Sequence, residues 1–156
     1  MSWPTILFLC TGNYYRSRFA EHLFNYIARE RGLLFRAESR GLAIELAAGL
    51  PGNISGDTVR RLIELGVVCD AEHRCGIACT ADDLSRAHLV IALKEGEHRP
   101  LLVARHPGWE NRVTYWHVHD LDAAKPDEAL ADIERLVQQL ADELLIAARK
   151  QGNEIE

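Results

Sequence analysis

No stretch of this chain approaches the roughly 18 consecutive apolar residues that a membrane-spanning helix requires. The segment from Met1 to Cys10 has a short apolar run without a basic start or a cleavage site, so a secretory leader is not expected. Positive charge is scarce: 18 Lys and Arg stand against 23 Asp and Glu, a formal net charge of −5. Generic nucleic-acid binding is therefore disfavoured, because non-specific affinity for a phosphate backbone comes from clustered Lys and Arg. Any phosphate this chain binds must be held locally. Cysteine is sparse too, with four residues at positions 10, 69, 75 and 79. A chain of 156 residues can bury a core without cross-links, so reduced thiols in a cytoplasmic protein are expected. No segment is polar or repetitive enough for a disordered arm, and one domain spanning residues 1–156 is the expectation. Nothing in the sequence sets an oligomeric state.

The remaining pattern is an alternation of strands and helices. Thr5–Cys10 is a nearly continuous apolar run closed by Thr11-Gly12-Asn13, which suits a central strand buried on both faces. From Ser17, apolar residues recur at spacings of three and four through Ala28, and Gly32 follows the basic Arg29 and Arg31 as a helix stop. Leu34–Ser39 has strand length and Ser55 can cap a helix running to Gly66. Thr80-Ala-Asp-Asp83 opens another as a capping box. Leu89–Ala92 predicts a third strand, Glu97–Arg105 a helix, Val113–Val118 a fourth strand, and Pro126 to Gly152 a long final helix. This order predicts an α/β fold with right-handed crossovers and a parallel sheet covered by helices on both faces. Ligands in such sheets sit at the carboxyl ends of the strands, where Cys10 and Asp120 both fall.

Cys10-Thr-Gly-Asn-Tyr-Tyr-Arg16-Ser17 lies between the buried strand and the first helix. A thiol attacks phosphorus as thiolate, and a strand-to-helix loop aims backbone N–H groups and the positive helix end at one spot. Five intervening residues let the loop curl round a tetrahedral phosphate, with Gly12 and Asn13 suited to left-handed backbone angles. The planar guanidinium of Arg16 can grip two phosphate oxygens at once, and Ser17 can donate to the sulfur. Thr11, Gly12, Asn13, Tyr14, Tyr15 and Ser17 are the candidate substrate-binding residues. The leaving group needs a proton from a carboxylic acid. Asp120 is preferred because it directly follows the fourth strand, with Asp122 and His119 as alternatives.

These residues resemble the low-molecular-weight protein tyrosine phosphatase family, whose nucleophile loop reads Cys-x-Gly-Asn-x-Cys-Arg-Ser-Pro. The resemblance extends through Ser39-Arg-Gly41, Thr80–Leu84 and Ala87–Ala92. It implies a four-stranded parallel sheet of the flavodoxin-like type, a cysteinyl-phosphate intermediate, no metal or other cofactor, and Asp120 as general acid. Ser39 and Asn13 would hold the phosphate loop in shape, and the partner would be a phosphorylated protein or small aryl phosphate. This chain departs from the family at Tyr15, where a second cysteine is usual, at Arg18 in place of proline, and at Leu121 in place of the proline after the acid. The aromatic residues that line the family's substrate slot are also missing, leaving Tyr14, Tyr15 or Trp116 as possible stacking faces.

Other readings stay open. Thr11 beside the nucleophile resembles branches that act on phosphoarginine or arsenate, and the altered acid loop is compatible with a phosphate-binding module that turns over little. Arsenate reduction would need a thiol relay through Cys69, Cys75 or Cys79, away from the third strand. Those cysteines with His73 lack the paired Cys-x-x-Cys spacing of a zinc site, so a metal-free loop is expected. His73 is a candidate for the histidine that buttresses the phosphate loop in the family, with a plain surface histidine as the alternative.

Overall fold

The structure, a computed structural model, describes residues 3–69, 73–118 and 125–155. Among these, four parallel strands form one sheet: β1 (Thr5–Cys10), β2 (Arg36–Gly41), β3 (Leu89–Ala92) and β4 (Thr114–Tyr115), in the order β2-β1-β3-β4. The helices are α1 (Arg16–Arg31), α2 (Gly56–Glu64), α3 (Ala81–Arg86), α4 (Glu95–Arg105) and α5 (Pro126–Ile155). Short 3-10 turns at Ile44–Ala47 and Trp109–Asn111 complete the chain.

The near-continuous apolar character of β1 follows from its place. Successive side chains of a strand point to opposite faces. Ile6 and Phe8 accordingly enter one core with Phe19, Leu23 and Phe24 of α1, Leu62 of α2 and Ile133 and Val137 of α5. Leu7 and Leu9 enter a second core with Leu84 of α3 and Leu102 of α4. The sheet is thus covered on both sides, as its sequence pattern requires. Among the described residues no helix is long and apolar enough to cross a membrane.

Local signals place the element ends. Gly32 closes α1 in the left-handed region at φ 68°, a conformation open to a residue without Cβ. Ser55 caps α2 by accepting from the Thr58 N–H, and Thr80 with Asp83 forms the expected capping box of α3.

Four expected boundaries are corrected. β2 starts at Arg36 rather than Leu34, because its inward residues are Ala37, Ser39 and Gly41 while Leu34 is exposed. α4 begins at Glu95, two residues early, with Lys94 as its N-cap. β4 is only Thr114–Tyr115, paired with the end of β3. Beyond it the chain still donates from Trp116 to Ala92 O and from Val118 to Leu93 O. The last helix continues past Gly152 to Ile155.

Candidate active site

The Cys10–Ser17 segment turns sharply from β1 into α1, and its shape can be read from where its carbonyls go. Cys10 O accepts from Leu42 N, Thr11 O from Ala43 N, Tyr14 O from Ser55 N and Tyr15 O from the Thr58 hydroxyl. Asn13 O accepts from the Arg18 guanidinium at 3.1 Å. These partners all lie outside the loop. In a trans peptide the next N–H points opposite to the carbonyl, and no described peptide is cis. Five N–H groups, those of Thr11, Gly12, Tyr14, Tyr15 and Arg16, are therefore turned from those partners toward the hollow of the loop. No side chain caps the start of α1, so its positive end and these amides together make an anion cradle.

Asn13 is the hinge of the curl. It is the one non-glycine residue with positive φ among those described, at 50°, a conformation Asn tolerates better than most. Gly12 does not share it, contrary to expectation; its missing side chain serves space instead, since a Cβ there would lie 2.6 Å from the Ala47 Cβ. Gly76 presses on the loop in the same way, its absent Cβ falling 2.8 Å from Gly12 O.

Behind the loop lies a closed polar network. Asn13 is fully buried, yet its amide is satisfied on both sides. Nδ2 donates to Ser17 Oγ at 2.8 Å and to Ser39 Oγ at 2.9 Å. Oδ1 accepts from Ile77 N at 3.0 Å and Arg74 Nη1 at 2.9 Å. Ser39 passes its own proton to Glu21 at 2.8 Å and accepts from Arg74 Nη2 at 3.1 Å. Ser17 Oγ sits 2.9 Å from Cys10 Sγ. With Asn13 donating to that oxygen, the Ser17 hydroxyl still carries a proton that can point at the sulfur.

Arg18, a departure from the proline of the resembled motif, is 1 % exposed. It ties three segments together by donating to Asn13 O, Asn53 O and Arg74 O. Burial and then the neighbouring Arg74 lower its pKa to about 10 despite Glu21 and the sulfur of Cys10, so it stays charged at neutral pH. The Arg18 charge behind the loop reinforces the cradle.

In front, a cavity of about 310 Å³ is lined by Cys10, Thr11, Gly12, Tyr14, Tyr15 and Arg16, with Leu46, Ala47 and Leu50 as an apolar wall and Glu97 on the polar side. Arg16 donates to Glu97 at 2.6 Å, and the Thr11 hydroxyl donates to the same carboxylate oxygen. Burial pushes the Glu97 carboxyl upward, but hydrogen bonds from His98, Arg16 and Thr11 outweigh it and hold the group well below the usual carboxylate range. Burial likewise drives the Tyr15 phenol upward, reinforced by Asp57, and its hydroxyl donates to Pro126 O at 3.0 Å. Tyr15 therefore stays neutral.

The sequence-derived candidates divide cleanly. Cys10, Thr11, Gly12, Tyr14, Tyr15 and Arg16 meet at the cavity, whereas the side chains of Asn13, Ser17 and Ser39 stand behind it, all fully buried. Trp116 packs on Phe8 with ring centroids 5.6 Å apart and does not line the cavity. His119, Asp120 and Asp122 lie outside the described residues. Arg74, not His73, buttresses Asn13. Cys79 is buried beside β2, its pKa pushed up to about 12 by burial and then by Asp83, while Cys75 is exposed and donates to Asn53. Sequence reasoning missed Glu21, Arg74, Glu97 and His98. Arg74, Glu97 and His98 contact the loop from segments distant in the chain, and Glu21 braces Ser39 and Arg74 behind it; an acidic residue in a first helical turn such as Glu97 ordinarily signals only the helix dipole.

The model of a family described as low molecular weight phosphotyrosine protein phosphatase matches residues 5–150. Among solved structures, the chain is similar to YfkJ from Bacillus subtilis, at 23% identity over 94% of this chain and 98% of that one, with a TM-score of 0.77. A low molecular weight protein tyrosine phosphatase from Bacillus subtilis, solved in solution, matches at 25% identity over 93% and 99%, TM-score 0.72. The YwlE arginine phosphatase from Geobacillus stearothermophilus matches at 21% identity over 94% and 96%, also with a TM-score of 0.72. No curated protein sequence matches the chain significantly.

Proposed function

The chain belongs to the low-molecular-weight phosphotyrosine protein phosphatase family, and on that premise we propose that it hydrolyses phosphate monoesters of proteins through Cys10. The observation that carries this reading is that the Cys10 sulfur and the Arg16 side chain line one cavity with the Ser17 hydroxyl against the sulfur. The thiolate forms an S–P bond as the P–O bond to the leaving group breaks, and the leaving oxygen takes a proton from Asp120. Asp120 then accepts a proton from water, whose oxygen bonds to phosphorus as the S–P bond breaks, and orthophosphate departs. The inward amides and Arg16 stabilise charge on the three equatorial oxygens, and no metal enters the scheme. The thiols of Cys10, Cys75 and Cys79 suit a reducing compartment, and we assign the enzyme to the cytoplasm.

Hydrolysis of an aryl phosphate under reducing conditions tests the reading. The wild type should turn over and Cys10→Ser should not; activity that survives the substitution ends the mechanism. No wild-type turnover would favour a phosphate-binding module instead. Asp120→Ala should slow phenyl phosphate far more than an ester with an excellent leaving group, and equal losses would move the acid role to Asp122 or His119.

Phosphoarginine is the second reading. It is favoured by the Thr11 hydroxyl and the Glu97 carboxylate on the cavity wall, groups of the kind that recognise a guanidinium substituent. A panel of phosphotyrosine, phosphoarginine and phosphoserine peptides separates the two.

A further inference from the structure

The first turn of α4 brings into the cavity a carboxylate that the scheme above does not use. Glu97 Oε2 accepts from Arg16 Nη2 at 2.6 Å and from the Thr11 hydroxyl. His98, fully buried, places Nε2 3.0 Å from the same oxygen and 3.2 Å from Thr11 Oγ1. The tautomer follows from the other ring nitrogen. His98 Nδ1 accepts the Lys94 N–H at 3.1 Å, so the neutral ring carries its proton on Nε2 and directs it at Glu97 and Thr11. Burial first, and then the Arg16 charge, keep the ring neutral in spite of Glu97.

Three donors, two from the β1–α1 turn and one from α4, thus converge on one carboxylate oxygen. This fixes the carboxylate, and the carboxylate in turn fixes a guanidinium on a long side chain with many rotamers. A guanidinium is planar, so anchoring one terminal nitrogen restricts the direction of the whole fork. Glu97 engages the fork through Nη2.

We propose that Glu97 is a positioning residue, braced by Thr11 and His98, that aims the Arg16 fork across the Cys10 cavity. The inference rests on the phosphatase reading and adds to it a device in α4, 81 residues along the chain from Arg16. Glu97 acts through Arg16 and touches no reacting atom. A loosened arginine should lose the alignment that stabilises the transition state while keeping most of the charge that attracts the substrate. The kinetic mark is a loss in kcat with little change in KM.

Steady-state kinetics on an aryl phosphate should find Glu97→Ala slower in kcat by about tenfold to a hundredfold, with KM within about threefold of wild type. Glu97→Gln, which keeps an acceptor for Arg16, should recover at least about tenfold over the alanine variant. Arg16→Ala combined with Glu97→Ala should be no slower than Arg16→Ala alone, because the second change has nothing left to aim. An unchanged kcat in Glu97→Ala, or fully additive losses in the double variant, overturns the inference. So does an alanine variant faster than wild type, which would make Glu97 a placeholder that substrate phosphate displaces. Should the alanine variant fail to fold, Glu97→Asp, with the carboxylate drawn back by one methylene, is read in the same way. A crystal of the folded variant grown with orthophosphate gives a readout without turnover. Arg16 should leave its wild-type direction there, and an Arg16 still forked on the phosphate sinks the proposal. A wild type without hydrolytic activity would sink the phosphatase reading alone, and the crystal would still decide the role of Glu97.

Discussion

The two sides of the Cys10–Ser17 loop are built on opposite principles. Behind it, Asn13, Ser17 and Ser39 are fully buried, and both ends of the Asn13 amide are in use. In front, Thr11, Arg16 and Glu97 share a few ionic hydrogen bonds on the wall of an open cavity. A buried amide that loses one partner bears the full desolvation penalty, so the rear network has one arrangement and resists change. The front groups border the cavity, where an anion can enter without disturbing the rear network. The difference teaches that the cradle's shape is held from behind, which leaves the cavity-facing groups available for chemistry.

The contrast breaks most visibly at Arg16. Arg16→Lys keeps a cation for Glu97 but loses the planar fork, so turnover of an aryl phosphate should fall by on the order of a hundredfold or more while the melting temperature stays nearly constant. A large drop in stability would mean that the front is structural as well. At the rear, Asn13→Ala strands several buried partners and puts a Cβ-bearing residue without a polar side chain at φ 50°. Urea unfolding should register a loss of about 2–4 kcal/mol, with activity falling alongside. If stability holds and only activity changes, the network is not the brace described above.

Arg18→Pro sharpens the comparison at smaller amplitude. The position lies in the first turn of α1, where proline fits the backbone, but the three carbonyls that Arg18 ties together lose their donor. A loss of about 1–2 kcal/mol in urea unfolding is expected, and no loss would make the buried arginine dispensable. The smallest effect is the pH dependence of His98. Its folded pKa lies below the ordinary histidine value because of burial and Arg16. The unfolded chain therefore binds the proton more readily, and His98 contributes stability above the unfolded pKa that is lost as pH falls below it. Glu97, also shifted down, adds a loss of the same sign at lower pH, through the carboxylate range. Melting temperatures measured from pH 7.5 to 5.5 should decline less steeply in His98→Gln than in wild type; equal slopes would assign the decline to other groups.

Much of this was legible in the chain itself. The β1 run, the Gly32 stop, the Ser55 cap and the Thr80–Asp83 box are local signals, and each structural counterpart lies where its residues stand. The nucleophile loop is equally local, since only five residues separate Cys10 from Arg16. Strand ends were harder. Leu34 and Phe35 imitate a strand, but β2 takes its bounds from pairing with β1, from Thr5↔Arg36 to Cys10↔Gly41. The same dependence on a partner shortens β4 to two residues alongside β3.

Sequence alone determined the alternation of elements, the doubly buried central strand and the position of a thiol and a guanidinium at one strand-to-helix turn, because these follow from periodicity and short-range backbone chemistry. Only the tertiary structure decided what surrounds that turn. Arg74, Glu97 and His98 reach it from the segment before α3 and from α4, and Glu21 joins them through Ser39 and Arg74. No pattern along the chain announces them, since a hydrogen bond between distant residues depends on how helices dock on the sheet and not on spacing in sequence.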